Sequence, residues 1–142
     1  MNRIKINLPE HYSFSTKLQI RVTDLNYGGH VGNDTVLSLL QEARQQFLQS
    51  RGYAELEVEG YGLIMADAML EYKKEMNHLD QIRIDIAATD FDKMGFDLYY
   101  RVIIQKNGED ILAVRAKTGM MLFNYQLRKK VSMTDKIIAA LQ

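Results

Sequence analysis

The sequence predicts an α+β protein in which one long helix precedes a set of antiparallel strands. Apolar residues repeat at helical spacing in a single long segment, and they alternate with other residues along several later segments. The dipeptide Asn107-Gly108 adds a strong signal for a type I′ hairpin turn, because both central residues of that turn need positive φ. We therefore expect the order strand, long helix and then four strands.

The long helix is expected from Asn33 or Asp34 to Ser50. Either Asn33 or Asp34 can cap its start, and Gly52 lies just past its end. An apolar stripe with steps of four, three and four residues marks the face that should be buried. The stripe consists of Val36, Leu40, Ala43 and Phe47.

Alternating patterns predict the strands. They are Lys17 to Val22 before the helix, and Ile64 to Tyr72, Ile82 to Ala88, Phe96 to Ile104 and Leu112 to Leu122 after it. In the first strand after the helix, one face should carry Ile64, Ala66, Ala68, Leu70 and Tyr72. A short closing helix near Ser132 to Leu141 can be capped by Ser132. The economical packing is a curved antiparallel β-sheet wrapped around the one long α-helix, which is the layout of the hotdog fold.

Size and composition narrow the class of protein. The 142 residues suit one domain, residues 1–142, and the 18 basic residues balance the 18 acidic ones, so we expect no nucleic-acid partner. There is no cysteine, hence no thiolate metal site and no cysteine nucleophile. No signal-peptide core and no membrane-length apolar run is visible, so we expect a cytoplasmic protein without a membrane partner. The three histidines have no metal-binding spacing, and we predict neither a metal nor a cofactor.

The segment Thr23 to Arg44, TDLNYGGHVGNDTVLSLLQEAR, is the candidate reaction site. It joins a polar, glycine-containing loop to the start of the helix. A helix N-terminus has unpaired backbone N–H groups and a positive dipole end, which suit a developing oxyanion. A tight loop that merely enters a helix would contain many of the same residue types. In this segment Asp24 is expected to hold the loop closed, and Arg44 to face away from the core as an ion-pair residue.

The loop and helix motif, DLNYGGHVGND followed by LLQEAR, resembles the 4-hydroxybenzoyl-CoA thioesterase-like group of hotdog acyl-CoA thioesterases. The later segment MLEYKKEM is similar to a strand motif of plant acyl-ACP thioesterases. The resemblance extends from about Lys17 to Met133. It implies hydrolysis of an acyl thioester, usually acyl-CoA, to a free acid and a thiol. It also implies a homodimer whose sheets join edge to edge, often paired into a tetramer, with active sites at the subunit interface.

The resemblance assigns positions to four residues, and the residue pattern adds Asp67 as a fifth candidate. Asn26 stands where many relatives have a catalytic Asp, and an amide can hold water or a carbonyl but cannot act as base or nucleophile. His30 matches the loop histidine, Glu75 matches the strand glutamate, and the Asn33 N–H falls at the oxyanion donor. The base is then either Asp67 or Glu75, acting on water across the dimer interface. Asp67 interrupts the apolar stretch GLIMADAML, which makes it a candidate for a raised pKa.

Structural explanations compete with each of these roles. His30 can bond loop carbonyls, Asn26 can be a turn residue, Asp67 can pair with an arginine, and Glu75 can lie on a solvated strand edge. For the whole protein, the alternative is a non-catalytic hotdog protein that binds acyl-CoA, which the asparagine at the usual aspartate position favours. Hotdog hydratases fit less well, because their loop motifs contain proline and the only proline here is Pro9.

Overall fold

A computed structural model describes all residues, 1–142, and contains one six-stranded antiparallel sheet and two α-helices. A short 3₁₀ turn, Val22–Asp24, follows the first strand. The elements are β1 Phe14–Gln19, α1 Asn33–Ser50, β2 Gly62–Tyr72, β3 Gln81–Thr89, β4 Gly95–Lys106, β5 Glu109–Asn124, β6 Lys129–Lys130 and α2 Asp135–Leu141. The main path of the sheet is β1-β3-β4-β5-β2, with β6 paired to β5. β1 and β2 are therefore edge strands.

The core lies between α1 and one face of the sheet. The predicted stripe of α1 is buried, and its members are Val36, Leu40, Ala43 and Phe47. The predicted inward residues of β3 and β4 are buried as well, including Ile82, Ile84, Ile86, Leu98 and Tyr100. The hairpin prediction is confirmed, with φ of 53° at Asn107 and 75° at Gly108. Neither helix combines the length and the apolar composition of a membrane span.

Several predicted element boundaries were wrong. β1 ends at Gln19 rather than Val22, because the chain turns into the 3₁₀ helix there. Neither Asn33 nor Asp34 caps α1; the N-cap is Gly32, whose backbone is extended and which offers no side-chain acceptor. The predicted glycine at the far end is confirmed, since Gly52 has φ of 80° and donates its N–H to Gln49 at 3.0 Å.

The closing helix α2 is shorter than predicted and has a different cap. It begins at Asp135, and the Thr134 side chain accepts the Ile137 N–H at 3.3 Å. Ser132 is not the cap, because it lies two residues before Thr134 in a segment that is still bonded to the sheet and its loops. Just before it, Val131 donates its N–H to Leu122 at 3.1 Å.

Strand β2 departs from the predicted alternation. The register of β2 against β5 shifts between Met65 and Asp67, which is a β-bulge. A bulge changes which residues face the core, and an edge strand has a neighbour on one side only. Ala68 and Tyr72 stay opposite the buried residues Thr118 and Val114, on the predicted core face. They are exposed because β2 is an edge of the sheet, and Ala66, at the bulge, is exposed as well.

Arg44 forms an ion pair, as predicted, but the predicted orientation was wrong, because its guanidinium points into the protein. The side chain is only 7% exposed, and its Nε lies 2.6 Å from a Glu55 carboxylate oxygen. Its NH1 donates to the Tyr100 hydroxyl at 3.1 Å, and that hydroxyl lies 2.8 Å from Thr118 Oγ1. We call these four side chains the Arg44 network. The ion pair and the hydrogen bonds of this network offset the free-energy cost of burying the charged guanidinium.

Candidate active site

The loop between the 3₁₀ turn and α1 is held closed at its base by Asp24. The Asp24 carboxylate is buried and accepts the Arg21 N–H at 2.8 Å. The Asp24 carbonyl accepts the Gly32 N–H at 3.3 Å, just where α1 begins. The predicted structural role of Asp24 is thus confirmed, and the loop has a defined conformation next to the helix start.

Asn26 organises the exposed part of this loop. Its side-chain oxygen accepts the N–H of Gly28 at 2.9 Å and that of His30 at 3.4 Å. Gly29, with φ of 84°, adopts a conformation that L side chains rarely take. Asn26 therefore sets the backbone position of His30, which is the turn role that its residue type indicates.

The structure brings His30 and Glu75 together. His30 Nδ1 lies 3.4 Å from a Glu75 carboxylate oxygen and 3.5 Å from Asn77 Oδ1. The adjacent backbone holds the two segments in contact, since Val31 donates its N–H to Met76 at 2.9 Å. The side chains are 41% and 70% exposed for His30 and Glu75, so both can reach a ligand from solvent.

The start of α1 offers unused hydrogen-bond donors. The backbone N–H groups of Asn33, Asp34 and Thr35 have no acceptor in the chain, and Gly32 supplies no side-chain cap. Across from them, the Tyr72 hydroxyl donates to the Asn33 carbonyl at 3.0 Å. Tyr72 thereby ties the end of β2 to the first turn of the helix. These donors and the helix dipole suit a negatively charged oxygen.

A cavity of about 200 Å³ lies beside this helix start. Its inner wall is apolar and buried, and consists of Val31, Val36, Met76 and Val114. Its outer part is polar or charged, and consists of Asn33, Tyr72, Lys73, Lys74 and Glu75. Larger clefts of about 450 Å³ and 460 Å³ lie along α1, but they are lined mainly by polar side chains such as Gln41 and Glu42. The smaller cavity alone combines apolar walls with the helix start and Glu75.

Within one chain, Asp67 lies away from this cavity. It precedes Tyr72 by five residues on β2, a separation of roughly 16 Å along a strand. Its carboxylate accepts hydrogen bonds from Lys117 Nζ and the Gly119 N–H, both at 2.9 Å. The bond from Lys117 is the largest influence on the pKa of Asp67 and lowers it, which outweighs burial. The predicted raised pKa was therefore wrong, because the apolar stretch lies on an exposed edge and Lys117 approaches from β5.

Tyr72 belongs to the site but was not predicted as a functional residue. Burial raises the pKa of its hydroxyl, and the nearby Asp34 carboxylate raises it further, so the hydroxyl stays protonated as a donor. The available signal was its place in MLEYKKEM, two residues after Leu70 and three before Glu75. No group of three or more His, Asp or Glu side chains is placed to hold a metal ion.

Comparisons with known proteins agree on the family. The sequence model of the Thioesterase-like superfamily matches residues 20–141, and the chain belongs to this superfamily. A protein of Aquifex aeolicus (strain VF5) named "Putative esterase" is 26% identical over 109 residues, covering 75% of this chain and 80% of that protein.

Solved structures agree on the fold. A mutant 4-hydroxybenzoyl CoA thioesterase complexed with 4-hydroxybenzoyl CoA superposes with a TM-score of 0.83 at 15% identity, covering 91% of this chain and 98% of that one. A 1,4-dihydroxy-2-naphthoyl-CoA thioesterase from Synechocystis gives 0.79 at 18% identity, covering 90% and 94%. At such identities the likeness establishes the fold, and the predicted α+β hotdog fold is confirmed.

Proposed function

We propose that this protein is an acyl-CoA thioesterase that hydrolyses an acyl-CoA, or an acyl-carrier thioester, to a free acid and a thiol. The observation that carries the proposal is the cavity, whose lining combines an apolar wall with Glu75 and with Asn33, the first helix residue, whose backbone N–H has no acceptor. An acyl group suits the apolar wall, and a thioester carbonyl suits the helix start. Membership of the Thioesterase-like superfamily supports this assignment.

In the proposed mechanism, Glu75 acts as the general base. It removes a proton from water while the water oxygen attacks the thioester carbonyl carbon. The Asn33 N–H stabilises the resulting oxyanion. Collapse of the tetrahedral intermediate breaks the carbon–sulfur bond, and the leaving thiolate takes the proton from Glu75. His30, 3.4 Å from Glu75, orients that carboxylate and its water, and Asn26 holds His30 in place.

Asp67 is the second candidate for the base. β2 is an edge strand, so a homodimer joined along β2 would carry Asp67 towards the other subunit. Its ion pair with Lys117 argues against this role, because a carboxylate held by a lysine is a weaker base. The two assignments predict opposite outcomes for two conservative substitutions.

The test is release of free thiol from a panel of acyl-CoA esters, followed with a thiol-trapping dye. We expect Glu75→Gln to lower kcat by about a hundredfold or more, as for loss of a general base, while Asp67→Asn keeps most of the activity. Glu109→Gln, an exposed change in the β4–β5 hairpin, is the matched control. Loss of activity in Asp67→Asn but not in Glu75→Gln would transfer the role to Asp67.

A non-catalytic acyl-CoA-binding protein is the alternative function. The observation that favours it is Asn26, whose side-chain oxygen is already engaged by the loop backbone and which brings no carboxylate. In that case the purified protein would bind acyl-CoA tightly without releasing thiol. Binding measured by calorimetry together with the thiol assay separates the two functions.

A further inference from the structure

We infer that the site takes a small acyl group, a short aliphatic chain or a single aromatic ring, and excludes long acyl chains. This inference rests on the proposed thioesterase function and adds the substrate class. Three features of the chain support it: the volume of the cavity, the closed layer behind its wall, and the Arg44 network beyond that layer.

The cavity is small for an acyl site. Its volume of about 200 Å³ lies below the roughly 300–1,000 Å³ of sites that enclose drug-sized ligands. We expect a butanoyl, hexanoyl or benzoyl group to fit such a cavity and a palmitoyl group to exceed it.

The layer behind the cavity wall is closed. Val36 and Val114 form part of the wall, on α1 and β5. The next residues on the same faces are Leu40, one helical turn further, and Ala116, two strand positions further. Both are 0% exposed. An acyl chain that grew along the interface between helix and sheet would meet this packed layer first.

The Arg44 network lies one turn further along α1. Arg44 lies roughly 12 Å along the helix from Val36. Thr118 lies roughly 13 Å along β5 from Val114. The two residues are therefore at a similar distance from the cavity wall. There Arg44 contacts Tyr100, and Tyr100 contacts Thr118. A methylene chain in this place would separate a buried guanidinium from its partners, which is strongly unfavourable. The network therefore acts as a polar barrier at the end of the acyl site.

The first experiment measures kcat/KM and Kd for a series of acyl-CoA esters from acetyl to palmitoyl, with benzoyl-CoA included. We expect kcat/KM to rise by about fourfold per added methylene while the cavity fills. Dodecanoyl and palmitoyl esters should then fall at least about tenfold below the best short ester, since a chain that meets the packed layer cannot keep its carbonyl at the helix start. Palmitoyl-CoA turned over as well as hexanoyl-CoA would overturn the inference and leave the thioesterase proposal intact. Absence of both hydrolysis and binding for every ester would overturn the thioesterase proposal, and the inference with it.

The second experiment changes the depth of the cavity. Val114→Ala removes two carbons from its wall, so the preferred ester should lengthen by about two carbons. Val36→Ala enlarges the cavity from the helix side and should lengthen the preferred ester in the same way. It replaces Val114→Ala if that variant folds poorly. Val58→Ala is the matched control, because Val58 is an equally buried valine that does not line the cavity. An unchanged chain-length optimum in both cavity variants would contradict the inference.

Discussion

Asp85 is a buried carboxylate on the face of the sheet away from α1. It is 2% exposed and accepts hydrogen bonds from Ser15 at 2.6 Å, from Arg83 at 2.8 Å and from Arg101 at 2.8 Å. Burial raises its pKa, but the hydrogen bonds from Arg83, Ser15 and Arg101 together outweigh burial and lower it. Asp85 thus links β1, β3 and β4 through its charged form.

We predict that Asp85→Asn lowers the free energy of unfolding at pH 7 by about 2 kcal/mol. This is below the roughly 3–5 kcal/mol for breaking a fully buried pair, because both arginines keep some access to water. The folded pKa lies below the unfolded value of 3.8, so the contribution is complete above that pH and is lost as the pH falls through the folded pKa. Urea denaturation at pH 7 and at pH 3 checks this.

The matched control is Asp110→Asn, because the partner of Asp110 is the exposed end of Arg83. This substitution should change the free energy of unfolding by at most about 0.5 kcal/mol. An Asp85→Asn effect that is equally large at both pH values would contradict the prediction.

At the level of elements, α2 shows how a cap decides where a helix begins. Ser132 and Thr134 are both hydroxyl residues near its start, and only Thr134 accepts a backbone N–H of the first turn. The helix then places Ile137 and Leu141, both 0% exposed, in the core. A small capping contact is therefore coupled to burial of two large side chains.

Thr134→Ala should lower the free energy of unfolding by about 1 kcal/mol, the usual cost of losing an N-cap side chain. Amide hydrogen exchange should accelerate in residues 135–141 more than in β3 or β4. The matched control is Ser132→Ala, which removes a hydroxyl group that caps nothing and should leave stability within about 0.5 kcal/mol. Equal effects of the two substitutions would show that the capping contact is not what stabilises α2.

At the level of the whole molecule, the free edge of β2 is the surface that most needs a partner. Met65 is 46% exposed there, and the adjacent Ala66 and Ala68 are exposed as well. An open edge strand with apolar side chains is prone to pair with another chain. We therefore propose a homodimer joined through β2, an arrangement that would put the cavity near a subunit interface.

We predict a dimer in size-exclusion chromatography with light scattering, and a monomer for Ala68→Lys. A lysine on an edge strand opposes pairing, because its charge would be buried at the junction. Gln49→Lys adds the same charge on the exposed side of α1 and should remain dimeric. Dimers of unchanged stability in Ala68→Lys would show that the subunits associate elsewhere.

The sequence by itself determined the elements and the family. Helical and alternating periodicities, a hairpin dipeptide and a glycine loop before a helix are local patterns, and they predicted α1, β3, β4, β5 and the hotdog fold. The glycine-loop motif also placed His30 and Asn33 at the candidate site. These elements depend on residues that are close together in the chain, so the sequence alone is enough to predict them.

Only the tertiary structure decided which of the distant groups meet. Lys117 reaches Asp67 across a separation of 50 residues, and Arg44 reaches Tyr100 across 56. The first contact lowers a pKa that the sequence suggested was raised, and the second turns a helix residue inwards. The first contact depends on the pairing of β2 with β5 beside the bulge, and the second on the packing of α1 against β4. The pKa of Asp67 and the burial of Arg44 are set by residues that are distant in the chain and close in space. Local sequence patterns do not identify such neighbours.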